Sequence, residues 1–156
     1  MKIAGIKPNS LTNGPGMRYV IFFQGCSHHC PGCQNQHTWD FDSGKYMSVS
    51  EIISDIEKNK DIISGITLSG GDPLDQQVQC ALLLKAIKKH FPDLSIVVYT
   101  GYTYESIIES HKTCLSLIDV LIDGEYKRDL PTKKKFRGSD NQRMLYLSKG
   151  KITREE

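Results

Sequence analysis

An α/β fold with a parallel sheet and helices laid over it is what this sequence predicts, on two observations. Strand-like and helix-like segments alternate along the chain, and each strand-like segment is a nearly continuous apolar run. Strands covered on both faces read that way, and parallel sheets are the usual case because their crossover helices cover them. A third observation limits the size. The 156 residues fall well short of the roughly 250 that a closed eight-unit barrel needs. An open or partial barrel, or a doubly wound sheet, is expected, built as a single domain over residues 1–156.

Each element has its own signal. K-I-A-G-I near the N-terminus is compatible with one further strand. R-Y-V-I-F-F (Arg18–Phe23) is β-branched and aromatic, a buried strand that runs straight into a cysteine-containing loop. Ser48 with Glu51 three positions on forms a capping box for a helix from Val49 to about Lys58, with Ile52, Ile53 and Ile56 on one face. G-I-T-L-S (Gly65–Ser69) is a second strand, stopped by G-G-D-P. Leu74 to His90 is a longer helix whose apolar stripe is Leu74, Val78, Ala81, Leu82 and Leu84, ended by F-P-D. S-I-V-V-Y-T (Ser95–Thr100) is a third strand halted by Gly101, and Tyr104–Lys112 a short helix. Ser116–Asp123 is a fourth strand and R-M-L-Y-L-S (Arg143–Ser148) a last one, after a basic loop. In such folds chemistry belongs at the carboxyl ends of the strands, so the cysteine loop, G-G-D-P and T-G-Y are expected on one rim.

Composition excludes several classes. Hydrophobic residues at 38% and charged residues at 24% match an ordinary soluble protein, and a net charge of +2 does not by itself call for nucleic acid or an anionic membrane. No apolar run is long enough to span a bilayer, and M-K-I-A-G-I-K-P-N-S lacks a signal-peptide core, so a cytoplasmic location is expected. The basic loop holding Lys127, Arg128, Lys133, Lys134, Lys135 and Arg137 reads as a solvated surface or a docking patch. Nucleic-acid binding needs interleaved aromatics, and the loop offers only Phe136.

The five cysteines divide into two kinds. Cys80 and Cys114 sit in apolar stretches and read as small core residues. Cys26, Cys30 and Cys33 crowd into C-S-H-H-C-P-G-C. Thiolates are soft ligands for zinc or iron–sulfur clusters. Zinc requires a fourth ligand, which His28 or His29 would supply, although no second ligand pair follows downstream. A [4Fe–4S] cluster on three thiolates instead leaves one iron open to an outside ligand, and Pro31–Gly32 gives the tight turn needed to wrap it. Spacing alone leaves both readings standing.

C-x3-C-x2-C after the first strand, with G-G-D-P after the second, resembles the signature of the radical S-adenosylmethionine (SAM) superfamily. Within it, G-P-G-M-R (Gly14–Arg18), Y-T-G-Y-T-Y-E (Tyr99–Glu105), L-I-D-G-E-Y (Leu121–Tyr126) and R-G-S-D-N-Q-R (Arg137–Arg143) resemble the anaerobic ribonucleotide reductase activating proteins. The likeness runs from about Asn13 to Arg143. It implies a short, incomplete (βα)6-type partial barrel, a parallel sheet with outer helices, open at the side. Cys26, Cys30 and Cys33 become the cluster ligands, and Gly32, Cys33, Gln34, Gly70, Gly71, Asp72, Pro73 and Thr100 the residues around cluster and SAM. Asp72 stands where the family usually has the longer Glu, leaving its side-chain role open, with the Gly70 and Gly71 carbonyls as the alternative holders of the SAM amino group.

The implied activity is that of a glycyl radical enzyme activase. An electron from a flavodoxin-type donor cleaves SAM at the cluster, and the 5′-deoxyadenosyl radical takes hydrogen from a glycine of the reductase large subunit. The cofactors carry that chemistry, so no general acid, base or protein nucleophile is assigned. Arg137, Asn141, Gln142 and Arg143 are implied to meet the reductase or the SAM carboxylate. Tyr99, Thr100, Tyr102 and Trp39 are candidates for the adenosine pocket, with core or rim packing as the alternative. Two competing readings are an activase of another glycyl radical enzyme, of the formate lyase type, and a zinc-stabilised binding module without catalysis.

Overall fold

A computed structural model describes residues 1–156. Its strands are β1 (Lys2–Ser10), β2 (Arg18–Phe23), β3 (Lys45–Tyr46), β4 (Gly65–Gly70), β5 (Ser95–Tyr99), β6 (Val120–Asp123), β7 (Arg143–Ser148) and β8 (Lys151–Glu155). Its helices are α1 (Val49–Asn59), α2 (Gln77–His90), α3 (Tyr104–Ile107) and α4 (Lys112–Leu117), with 3-10 turns at Gln36–Thr38 and Pro73–Gln76. All eight strands join one open sheet in the order β3-β1-β2-β4-β5-β6-β7-β8.

The expected parallel sheet forms the centre of a mixed one. β2, β4, β5 and β6 are parallel neighbours, while β1, β3, β7 and β8 pair antiparallel at the flanks. Chain length decides this. Residues 11–17 between β1 and β2 are too few for a helical crossover, which takes a dozen or more, so β1 turns back as a hairpin. β7 and β8 are joined by Lys149–Gly150, both at positive φ (51° and 80°), the two-residue turn whose twist matches its strands.

The doubly wound alternative is also set aside. That arrangement needs strand order to reverse, but here the parallel strands follow chain order. Right-handed crossovers running in one direction put every helix on the same face. The core agrees: Ile52 and Ile56 of α1, Cys80, Leu83, Leu84 and Ile87 of α2, Ile107 of α3 and Leu115 of α4 form one cluster. They pack on the alternate strand residues Ile21, Phe23, Ile66, Leu68, Ile96, Val98 and Leu121. The opposite face carries a smaller cluster of Val97, Val120, Ile122 and Met144.

Local signals explain most elements. Ser48 and Glu51 form the reciprocal capping box, and Ile52 with Ile56, one turn apart, bury the face behind it. Each such side chain stabilises the fold by about 1.5–3 kcal/mol. On α2 the stripe differs from expectation: Val78 and Leu82 are 68% and 52% exposed, and Cys80, Leu83, Leu84 and Ile87 face inward. The helix starts at Gln77 because Asp72 caps a separate 3-10 turn before it. The expected Tyr104–Lys112 helix is broken. His111 Nε2 meets the Leu74 carbonyl at 3.0 Å and Gln77 donates to the Ser110 carbonyl, so contacts with the start of α2 override local propensity. A second helix then buries Cys114 and Leu115, and β6 begins four residues later than Ser116.

At the amino-terminal edge of the parallel strands the fully buried Arg18 fills the sheet's second face. Its guanidinium donates to Thr67 Oγ1, Ser95 Oγ and the carbonyls of Pro15, Ile66 and Ser95, at 2.8 to 3.1 Å. Burial pushes its pKa down. G-P-G-M-R is therefore a plug closing the end opposite the expected rim.

Candidate functional site

At the carboxyl ends of the parallel strands the loops lie flush against one another, and glycines make the approach possible. Gly70 has φ +96°, and a Cβ there would stand 2.5 Å from the Phe23 nitrogen. A Cβ on Gly71 would stand 2.2 Å from the Gly25 carbonyl oxygen. Bonds then lock the β2 and β4 loops: Gly71 N donates to Phe23 O at 2.8 Å, and Asp72 N to Gly25 O at 2.9 Å. Gln24, buried at the end of β2, holds the far side of the cysteine loop through the His37 and Asp40 carbonyls.

The three cysteines open onto one cavity. Its wall combines Cys26, His28, Cys30, Cys33 and Asn35 with Ser69 and Gly70 at the end of β4, Gly71 and Asp72 beyond it, Tyr99 at the end of β5, Thr100 and Gly101 beyond it, and Gly124, Tyr126 and Gln142. A backbone amide points at one of the sulfurs: Asn35 N donates to Cys33 Sγ at 3.3 Å. Such N–H···S bonds support thiolates and tune the metal group they hold. Burial pushes the Cys26 thiol up to about 11 and raises Cys30 as well, with Glu125 nearby adding to the effect on Cys30. Ionising them calls for a cationic partner, as metal binding supplies.

A closed zinc site on the three thiolates would need a fourth ligand from the chain. Neither histidine completes the set. His28 Nε2 is 2.7 Å from Asp72 Oδ2, and His29 stacks on Trp39 at 4.5 Å. The donor set fits an iron–sulfur cluster.

Asp72 is 1% exposed and its carboxylate is saturated. Oδ1 accepts from Leu74 N and the Thr100 hydroxyl, and Oδ2 from Gly101 N, Thr100 and His28. This carboxylate ties loops together, and Gly70 and Gly71 line the cavity beside it. His28 is raised in pKa, first by its bond to Asp72.

Other expected residues fall in different places. Gln34 is exposed and Gly32 packs against Arg128, both outside the cavity wall, and Pro73 is buried at the start of the 3-10 turn. Tyr102 donates to Asp75 and Trp39 is taken by His29, while Tyr99 and Thr100 do line the cavity. The R-G-S-D-N-Q-R side chains also bond within the chain. Arg143 forks onto Glu105 at 2.8 Å through both Nη atoms and also bonds the buried Asp123. Asn141 and Gln142 hold the Glu125 and Gly124 carbonyls, and Arg137 bonds the Lys135 and Glu156 carbonyls. Asn141 and Gln142 thereby fasten the loop after β6, and Arg143 the last residue of that strand. Sequence reasoning missed Asn35, Ser69, Gly101, Gly124 and Tyr126 as cavity residues; their shared signal was their place at or just beyond strand ends or cysteines.

The comparisons agree with this site. A family model described as a 4Fe-4S single cluster domain matches residues 12–145, so the class is that of iron–sulfur cluster proteins. An anaerobic ribonucleoside-triphosphate reductase-activating protein of Enterobacteria phage T4 is 43% identical over 144 residues, 89% of this chain and 90% of that one. Proteins of the same name from Escherichia coli K12 (37% over 146 residues, 90% and 95% covered) and Vibrio cholerae (38% over 141 residues, 86% and 91% covered) are also similar. The chain belongs to the anaerobic ribonucleoside-triphosphate reductase-activating protein family. Among solved structures, QueE from Escherichia coli shares the fold, with a TM-score of 0.52 at 18% identity over 65% of this chain and 52% of that one.

Proposed function

We propose that this chain activates anaerobic ribonucleotide reductase by placing a glycyl radical on its large subunit. The observation that carries the reading is the convergence of three cysteine sulfurs and a glycine-walled strand rim on one cavity, in a chain of this family. Cys26, Cys30 and Cys33 would hold a [4Fe–4S] cluster through three irons, leaving the fourth for SAM. The Gly70 and Gly71 backbone would receive the SAM amino group, with Tyr99, Thr100 and Gly101 beside the nucleoside. Bound there, cluster and SAM supply one-electron cleavage of the sulfonium and hydrogen abstraction from a glycine Cα by the 5′-deoxyadenosyl radical.

The chain's own contribution is position and exclusion. The Asn35 amide aimed at Cys33 Sγ would tune the cluster, and the loops packed around the cavity would shield its sides. We read the singly wound sheet as a (βα)6-type partial barrel within one domain spanning 1–156, whose open side admits a loop of the reductase. A flavodoxin-type protein is the proposed electron donor, and the cytoplasm the proposed compartment. No helix is long and apolar enough to cross a membrane.

The deciding experiment mixes anaerobically reconstituted protein, reductant and SAM with the reductase large subunit and records the electron paramagnetic resonance spectrum. A glycyl radical doublet, absent with Cys30→Ala, is expected. Cluster and SAM cleavage without that doublet would move the assignment to another glycyl radical enzyme. Stable zinc content without iron uptake would remove it altogether.

A further inference from the structure

We infer that His28 is a positioning residue that couples the cluster loop to the SAM-side wall, a role that rests on the function proposed above. Between Cys26 and Cys30 the loop is held by two carboxylates of the β4–α2 turn. Ser27 donates to Asp75 through its backbone N–H at 2.8 Å and its hydroxyl at 3.2 Å, and the His28 ring meets Asp72 at 2.7 Å. The two contacts differ in kind. Asp75 lies toward solvent, whereas Asp72 is buried and passes its remaining bonds to Thr100 and to the Gly101 and Leu74 amides. One carboxylate therefore takes donors from the cysteine loop, its own turn and the end of β5.

The ring is confined on its other sides. Tyr102 stands edge-on to it at 4.5 Å, and a Cβ on Gly101 would come within 2.8 Å of its atoms. Its side chain is 11% exposed and lines the cavity between two cysteines. A surface histidine would not need a glycine beneath it, and a core histidine would not border the cluster cavity. Placed here, the ring transmits any shift of the Cys26–Cys30 segment to the Thr100–Gly101 wall. Cluster position and SAM affinity are thus tied by one hydrogen-bonded strut.

The test compares His28→Ala and His28→Gln as reconstituted holoproteins. Both keep the three thiols and are expected to bind about four irons. In the alanine chain the SAM dissociation constant rises about tenfold, the scale of a lost charge-assisted hydrogen bond, and the SAM-induced change in the reduced cluster's resonance spectrum shrinks. Glutamine, whose side-chain amide reaches Asp72, restores most of both. In the metal-free chains, hydrogen exchange at the Gly101 amide speeds up with alanine and not with glutamine. Should alanine prevent folding, His28→Leu fills the space without a donor and takes its place. Wild-type SAM affinity, cluster spectrum and Gly101 exchange in the alanine or leucine chain would overturn the strut. A wild-type cluster that ignores SAM would instead remove the activase reading, and the exchange measurement would still decide the strut.

Discussion

Replacing Asp72 by Asn tests how the rim is held. The substitution keeps shape and volume and exchanges one acceptor oxygen for a donor. Oδ1 serves Leu74 N at 3.0 Å, and Oδ2 serves Gly101 N at 2.9 Å. Whichever way the amide turns, its NH2 faces one of these N–H groups, and a backbone donor loses its partner. An orphaned buried donor costs about 1–3 kcal/mol, so a loss of about 2 kcal/mol is expected. For a chain of this size that is about 4–8 °C in Tm. Asp72→Ala removes all five bonds and is expected to cost about 4 kcal/mol. Urea unfolding of the metal-free chain, followed by circular dichroism, measures both without involving the cofactors. An Asn variant within about 0.5 kcal/mol of wild type would refute the reasoning, because it would mean that the carboxylate's bonds in the folded chain carry no net weight.

Three further outcomes follow from the same geometry. Arg143→Ala strands the buried Asp123 and is expected to cost about 3–5 kcal/mol, whereas Glu105→Gln, at a carboxylate 63% exposed, costs under about 1 kcal/mol in thermal unfolding. The Arg143 guanidinium holds Glu105 below the ordinary carboxyl range, so its small stabilisation is present above an unfolded value of about 4.3 and lost as pH falls through the folded one. Unfolding curves of wild type and Glu105→Gln should therefore converge at acid pH, and parallel curves would count against the pair. Cys80→Ser and Cys114→Ser, at thiols buried in the core away from the cavity, should keep iron on reconstitution while Cys26→Ser or Cys33→Ser loses it, as read by iron analysis.

Much of the architecture was legible because it is written in short-range patterns. R-Y-V-I-F-F and R-M-L-Y-L-S are strands with the predicted bounds, and Ser48 with Glu51 caps α1 as the spacing requires. The errors lie where distant contacts decide. Val78 and Leu82 look like core residues on a helical wheel but face out, because the sheet meets α2 along the row through Cys80 and Leu84. The helix after β5 breaks because α2 offers bonds to Ser110 and His111 that no local rule foresees.

The cysteine spacing and the motifs around it determined by themselves that a metal group belongs at the head of the chain, since three soft ligands on a glycine turn have few other uses. What only the folded chain decided is how the remaining polar residues are employed. Asp72 and the R-G-S-D-N-Q-R segment carry groups that suit ligand or partner binding, and in the folded chain they also fasten loops. A side chain's chemistry is local, but the partner that claims it arrives through the sheet from tens of residues away, and only the assembled rim shows which one does.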